Sequence, residues 1–247
     1  LVKIQINRKT FLFNLTNILI YSYLLPLAFF LFLKKETRTK KEVLVIVIYS
    51  LTFFLLLKVQ SVLLNHDKVL TDKEKFWDKI KDLFYAFFTF TELIFFTAVY
   101  WINIKTKKFK ILSIAVTLLF VISQVVYYFS VKTVRIDSIP VGLETLIVYI
   151  YIFFFFYDRF RNIDDQYIYN NYCFWVSIGI MIYMGGSFFF FILGNHLSPE
   201  QNEKYWDYSF YVDIAKNILF SISLFVYAKH TDNIISKPKN IPFLDFN

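Results

Sequence analysis

The chain has 247 residues, 57% of them hydrophobic, with 32 Phe and 18 Tyr against 5 Gly and 5 Pro. Its apolar residues stand in blocks of about twenty, the length that crosses a bilayer as a helix, and a soluble fold cannot hide so many. The net charge of +8 gathers in the short stretches between those blocks, a pattern of membrane orientation and not of nucleic-acid binding.

Backbone polar groups in lipid must pair within their own segment, so the blocks are predicted to be helices. Outer-membrane strands would alternate polar and apolar residues over about ten positions, and these blocks do not. In chain order the predicted spans are 11–33, 43–64, 83–104, 111–131, 139–157, 172–193 and 208–228. The first block is too long for a signal peptide and lacks a small-residue cleavage site, so it is expected to be retained. The second and third spans are joined by a charged loop, 65–82, expected to lie at the interface with Phe76, Trp77 and Ile80 toward lipid. The expected fold is therefore one all-α integral membrane domain, a seven-transmembrane helix bundle, with a short tail over 229–247. Trp77, Trp101, Trp175 and Trp206 all fall at or just beyond span ends, where amphipathic rings favour the headgroup region.

Orientation follows from Lys and Arg. One side carries fourteen, including the uncompensated cluster Lys105, Lys107, Lys108 and Lys110, and the other carries eleven. On that second side, the five basic residues of 65–82 alternate with Asp67, Asp72, Glu74, Asp78 and Asp82. This places the N-terminus outside and the C-terminus in the cytoplasm.

Five ionisable residues fall inside spans: Lys58, Glu92, Glu144, Asp213 and Lys216. Charges there are costly, face the bundle interior and mark candidate sites. By residue count all five lie toward the outer ends, and so do Asn14, Asn17, Gln60, Gln124 and Asn217. The expectation is a polar pocket in the outer half, lined by Glu92, Glu144, Asp213, Lys216, Lys58, Gln124, Asn217 and Asn17, above a dry aromatic bundle. Asp213, Lys216 and Asn217 share one helix face at i, i+3 and i+4. A competing reading has Asp213 and Lys216 simply neutralise each other, with Lys58 snorkelling to the interface. Gly185, Gly186 and Ser187 suit close helix packing better than binding.

The lone cysteine, Cys173, provides neither a disulfide nor a metal cluster, and His66, His196 and His230 fall in loops. Hydrolase and metalloprotease motifs are missing, so neither catalysis nor a cofactor is expected. A lysine in a seventh span also occurs in the retinal proteins, as the Schiff-base residue. This chain departs from them: its acid stands three residues before Lys216, not four, and the third span has no Arg.

Residues 174–183, Gly185, and the run Asp213-Ile-Ala-Lys216-Asn217-Ile-Leu-Phe220 resemble the multi-helix membrane region that precedes histidine kinase domains in some AT-rich bacteria. The resemblance is strongest over 170–228 and fits the seven-span layout. It implies a region that senses something outside and passes it inward. No kinase or output domain follows within the sequence, so the resemblance implies either a separate cytoplasmic kinase or regulator as partner or a sequence that is part of a longer protein. The expected function is a sensory protein of a bacterial inner membrane, taking a small or lipid-like ligand. The alternatives are a small-solute or proton-coupled transporter and a structural subunit.

Overall fold

The computed structural model describes residues 15–66, 74–130, 138–161, 168–193 and 197–236. Asn14, His196 and the segment after 236 lie outside them. Among the described residues there are helices and no strands, and seven helices are long and apolar enough to cross a membrane. This is the organisation of a multi-pass membrane protein. We number them α1 (Leu15–Phe32), α2 (Lys41–His66), α3 (Glu74–Asn103), α4 (Lys107–Ser130), α5 (Ser138–Arg161), α6 (Tyr172–Leu193) and α7 (Pro199–Ser236).

Several helices run past their predicted ends, α3 and α7 the furthest. α7 starts at Pro199, not 208, because Ser198 and Gln201 form a capping box. The Gln201 amide donates to the Ser198 hydroxyl oxygen at 3.3 Å and the Ser198 amide donates to the Gln201 side chain at 3.1 Å. Proline at the first helical position gives up a donor that would have been unpaired anyway. α3 reaches back to Glu74, so half of the predicted 65–82 loop is helix. The side chains of Phe76, Trp77 and Ile80 fall outside the described ones.

Neighbour contacts close a circuit of six helices, α1–α2–α3–α5–α6–α7 and back to α1, with α6–α7 the most extensive pair. α4 packs outside that circuit on α3 and α5 and is the least enclosed span. Its Leu118, Leu119, Ile122 and Val126 are exposed, the apolar surface a helix presents to lipid. Trp101 is half-exposed with the Lys110 ammonium 5.2 Å from its ring, and Trp175 donates to the Tyr169 carbonyl at 2.8 Å. Both indoles thus hold a polar contact at a span end, as interfacial anchors do.

The half of the bundle expected to be dry carries hydroxyl ties. Thr97 and Thr117 meet at 2.9 Å, Thr117 and Tyr151 at 2.7 Å, and the Tyr100 hydroxyl donates to Ser177 at 3.1 Å. Asn103 donates to the Tyr172 hydroxyl. At the same end, Asp158 caps α4, accepting from the Lys105 and Thr106 amides at 2.7 and 2.9 Å and from the Thr106 hydroxyl at 2.5 Å. Asp158 is buried, so Asp158→Ala strands these donors. It is expected to lower stability by about 1–2 kcal/mol, read by denaturant unfolding in micelles, with Asp158→Asn losing less because it keeps one acceptor oxygen.

Candidate functional site

The centre of the bundle is a charge cluster that begins with a local defect in α1. Pro26 has no N–H to give the Ser22 carbonyl one turn earlier, and the helix is interrupted at Tyr23, before Leu24–Phe32. Tyr23 is fully buried there. Its hydroxyl lies 2.9 Å from both Asp213 oxygens, across the α1–α7 contact. Beside it the Asn217 amide donates to Ser22 Oγ at 2.7 Å, and that hydroxyl donates to the Leu19 carbonyl.

Lys216 is 0% exposed, and its three ammonium hydrogens have three acceptors. These are Asp213 at 2.8 Å, the Tyr49 hydroxyl at 2.7 Å and the Tyr23 hydroxyl at 3.2 Å. Glu92 Oε1 stands 3.7 Å away as a second counter-charge. Glu92 accepts from the Tyr49 hydroxyl at 2.9 Å on one oxygen and from the Tyr183 hydroxyl at 3.1 Å on the other. The ammonium sits over the Tyr183 ring, 3.8 Å from its centroid, a cation–π contact strengthened by the burial of Lys216. One lysine thus joins α1, α2, α3 and α6 to its own helix α7.

Counting along the spans, Glu92 is six residues from Ala86 and eleven from Asn103, and Lys216 is nine from Asp207 and thirteen from Lys229. The cluster therefore lies in one half of the bundle, just off its middle, closed in by aromatic rings.

Of the residues the sequence singled out, Glu92, Asp213 and Lys216 come together, and Asn217 joins them through Ser22. Glu144 is buried on α5, within electrostatic reach of Glu92 and Lys216, and its Oε1 has no hydrogen-bond partner. Gln124 is buried on α4 with both side-chain polar atoms unpartnered. Asn17 is half-buried on α1, nearer the Leu15 end than Tyr23. Lys58 is turned to its own neighbours: it donates to the Tyr21 hydroxyl at 3.3 Å, with its ammonium 4.4 Å from the Tyr21 ring. The residues that sequence reasoning missed are Tyr23, Tyr49 and Tyr183. The sign that pointed to them was position, because they stand mid-span whereas tyrosines in membrane helices favour the interface.

Gly179 and Gly186 set the close α6–α7 approach. A Cβ on Gly179 would lie 3.2 Å from Leu219 Cβ and 3.4 Å from the Lys216 carbonyl oxygen, and one on Gly186 would lie 2.7 Å from Val212 Cγ1. No family model matches the chain, and neither does any curated protein or solved structure.

Proposed function

We propose that this protein is a sensory or signalling protein of a bacterial inner membrane, with its N-terminus outside and its C-terminus cytoplasmic. In this reading a small or lipid-like ligand acts on the cluster around Lys216 and a separate cytoplasmic kinase or regulator receives the change. The observation that carries the reading is that one buried ammonium ties four helices to α7. α7 is a single helix from Pro199 to Ser236, beyond the end of its apolar span at Lys229. Any event that changes Lys216's partners changes the seating of a rod that leaves the bilayer. A ligand shifts such an equilibrium only by its differential affinity for the two arrangements, and a charge network with several alternative partners offers such arrangements. Proton- or solute-coupled transport is the second reading, favoured by carboxyls buried near mid-depth.

The test screens lipids and metabolites for a rise in the melting temperature of the purified protein, beside Glu92→Gln. A sensor is expected to yield a compound that stabilises the parent, loses that effect in Glu92→Gln, and does not accumulate in proteoliposomes. Accumulation abolished by Glu92→Gln would move the assignment to a transporter. A panel without any stabiliser, with Glu92→Gln merely melting lower, would leave the cluster as a device for helix association.

A further inference from the structure

The cluster around Lys216 has more acid than base. Asp213, Glu92 and Glu144 are all buried, and among the described residues Lys216 is the one ammonium at this level, paired with Asp213 and Glu92 and within electrostatic reach of Glu144. Burying an unpaired charge in a low-dielectric interior is prohibitive, whereas a neutral carboxyl group there costs far less. Three carboxyls and one ammonium leave two positive charges wanting: the tyrosine hydroxyls that Asp213 and Glu92 accept offset one of them, and the other must come from a proton or a metal cation.

The hydrogen bonds distinguish the carboxyl that has neither a counter-charge nor a donor of its own. Asp213 receives the Tyr23 hydroxyl and the Lys216 ammonium. Glu92 receives a tyrosine hydroxyl on each oxygen, Tyr49 on one and Tyr183 on the other. All three ammonium hydrogens are already placed on Asp213, Tyr49 and Tyr23. None of these hydroxyl and ammonium donors is left for Glu144, whose Oε1 is buried and unpartnered in a residue 2% exposed.

Among the described residues, the surroundings of Glu144 offer no other charge. It interacts electrostatically with Glu92 from α3, Lys216 from α7 and the Tyr183 hydroxyl from α6. The buried positions of α4, Ser113, Thr117, Phe120 and Gln124, are uncharged. Among the described residues, no three of His, Cys, Asp and Glu gather closely enough to hold a metal ion. A proton, which needs a single oxygen and no coordination shell, is the cation this geometry suits.

We infer that Glu144 is a proton-binding site, carrying a proton in the arrangement seen here and exchanging it as the bundle changes state. Release breaks the carboxyl O–H bond, leaves its electron pair on the carboxylate and hands the proton to water. The new carboxylate then competes with Glu92 and Asp213 for Lys216. Proton exchange on α5 is thereby converted into a change of partner for the residue that seats α7. This deepens the proposed reading of the cluster by naming a proton as one of its ligands. It does not depend on the outcome of the metabolite screen.

The experiment is infrared spectroscopy of the full chain in liposomes at neutral pH, where a neutral carboxyl absorbs apart from carboxylates and amides. The expected result is a neutral-carboxyl band in the parent, retained in Glu92→Gln and Asp213→Asn and lost in Glu144→Gln. Any other pattern, including no such band in the parent, overturns the inference. If Glu144→Gln does not fold, heavy-carbon labelling of glutamate in Glu92→Gln decides: the band must persist and shift with the label, and a band that stays put overturns the inference. Replacing choline with sodium at constant ionic strength checks the metal alternative. A sodium-dependent rise in melting temperature that Glu144→Gln abolishes assigns the missing charge to a metal cation and overturns the proton; an unchanged melting temperature supports it.

Discussion

Replacing Lys216 with methionine is expected to destabilise the bundle by about 3–5 kcal/mol, the usual consequence of removing one partner from a buried ion pair. The side chain is wholly buried, and its loss leaves Asp213 and Glu92 facing each other without a cation. A single hydroxyl deletion such as Tyr49→Phe should cost much less, about 0.6–2 kcal/mol, the range for interhelical hydrogen bonds in membranes. Charge, not hydrogen-bond count, therefore decides the outcome. Lys216→Arg is not a conservative rescue, because a planar fork cannot place its donors on Asp213, Tyr49 and Tyr23 as a compact ammonium does. Adding Asp213→Asn and Glu92→Gln to Lys216→Met removes the stranded charges and should recover most of the loss. Unfolding in mixed micelles across the single, double and triple variants measures the coupling. A Lys216→Met variant as stable as its parent would mean that the carboxyls are not charged in the folded state and that Lys216 forms no ion pair with them.

The charges of this site were legible in the sequence and its tyrosines were not. Glu92, Asp213 and Lys216 stood out because an ionisable group inside an apolar block has few physical excuses. Tyr23, Tyr49 and Tyr183 are three of 18 tyrosines, and hydropathy weighs every tyrosine alike wherever its hydroxyl points. Their mid-span position was a sign, but Tyr151 shares it, and which of these tyrosines meet the charges depends on helices far apart in the chain, which no local pattern encodes. The same blindness produced the expectation of a dry half: Tyr100, Tyr151, Thr97, Thr117 and Ser177 form their ties between helices with groups that hydropathy hardly registers. Pro26 was visible, yet its consequence, a turn that seats Tyr23 against Asp213, requires knowing that α7 lies opposite. The spans themselves were read from composition because bilayer thickness fixes their length. The true start of α7 was missed because a capping box acts through four residues and does not depend on hydropathy.

The α6–α7 contact gives the second large effect. A Cβ on Gly186 would lie 2.7 and 3.1 Å from the two Val212 methyl carbons and 3.2 Å from Val212 Cβ. Valine in a helix has essentially one rotamer, so it cannot swing aside, and α7 itself must move. Gly186→Leu is therefore expected to cost about 3 kcal/mol, at the upper end for overpacking. Gly142 provides the contrast, since its added Cβ meets nothing nearer than 3.9 Å. Gly142→Ala should stabilise by up to about 1 kcal/mol through helix propensity alone. Val212 immediately precedes Asp213, so displacing α7 at this level also pulls on the pair held at 2.8 Å with Lys216. The expected signature is that adding Val212→Ala to Gly186→Leu restores part of the melting temperature, while Val212→Ala alone lowers it. Equal losses in the single and double variants would mean that the helices yield elsewhere and that Gly186 is not what holds α7 in register with the cluster.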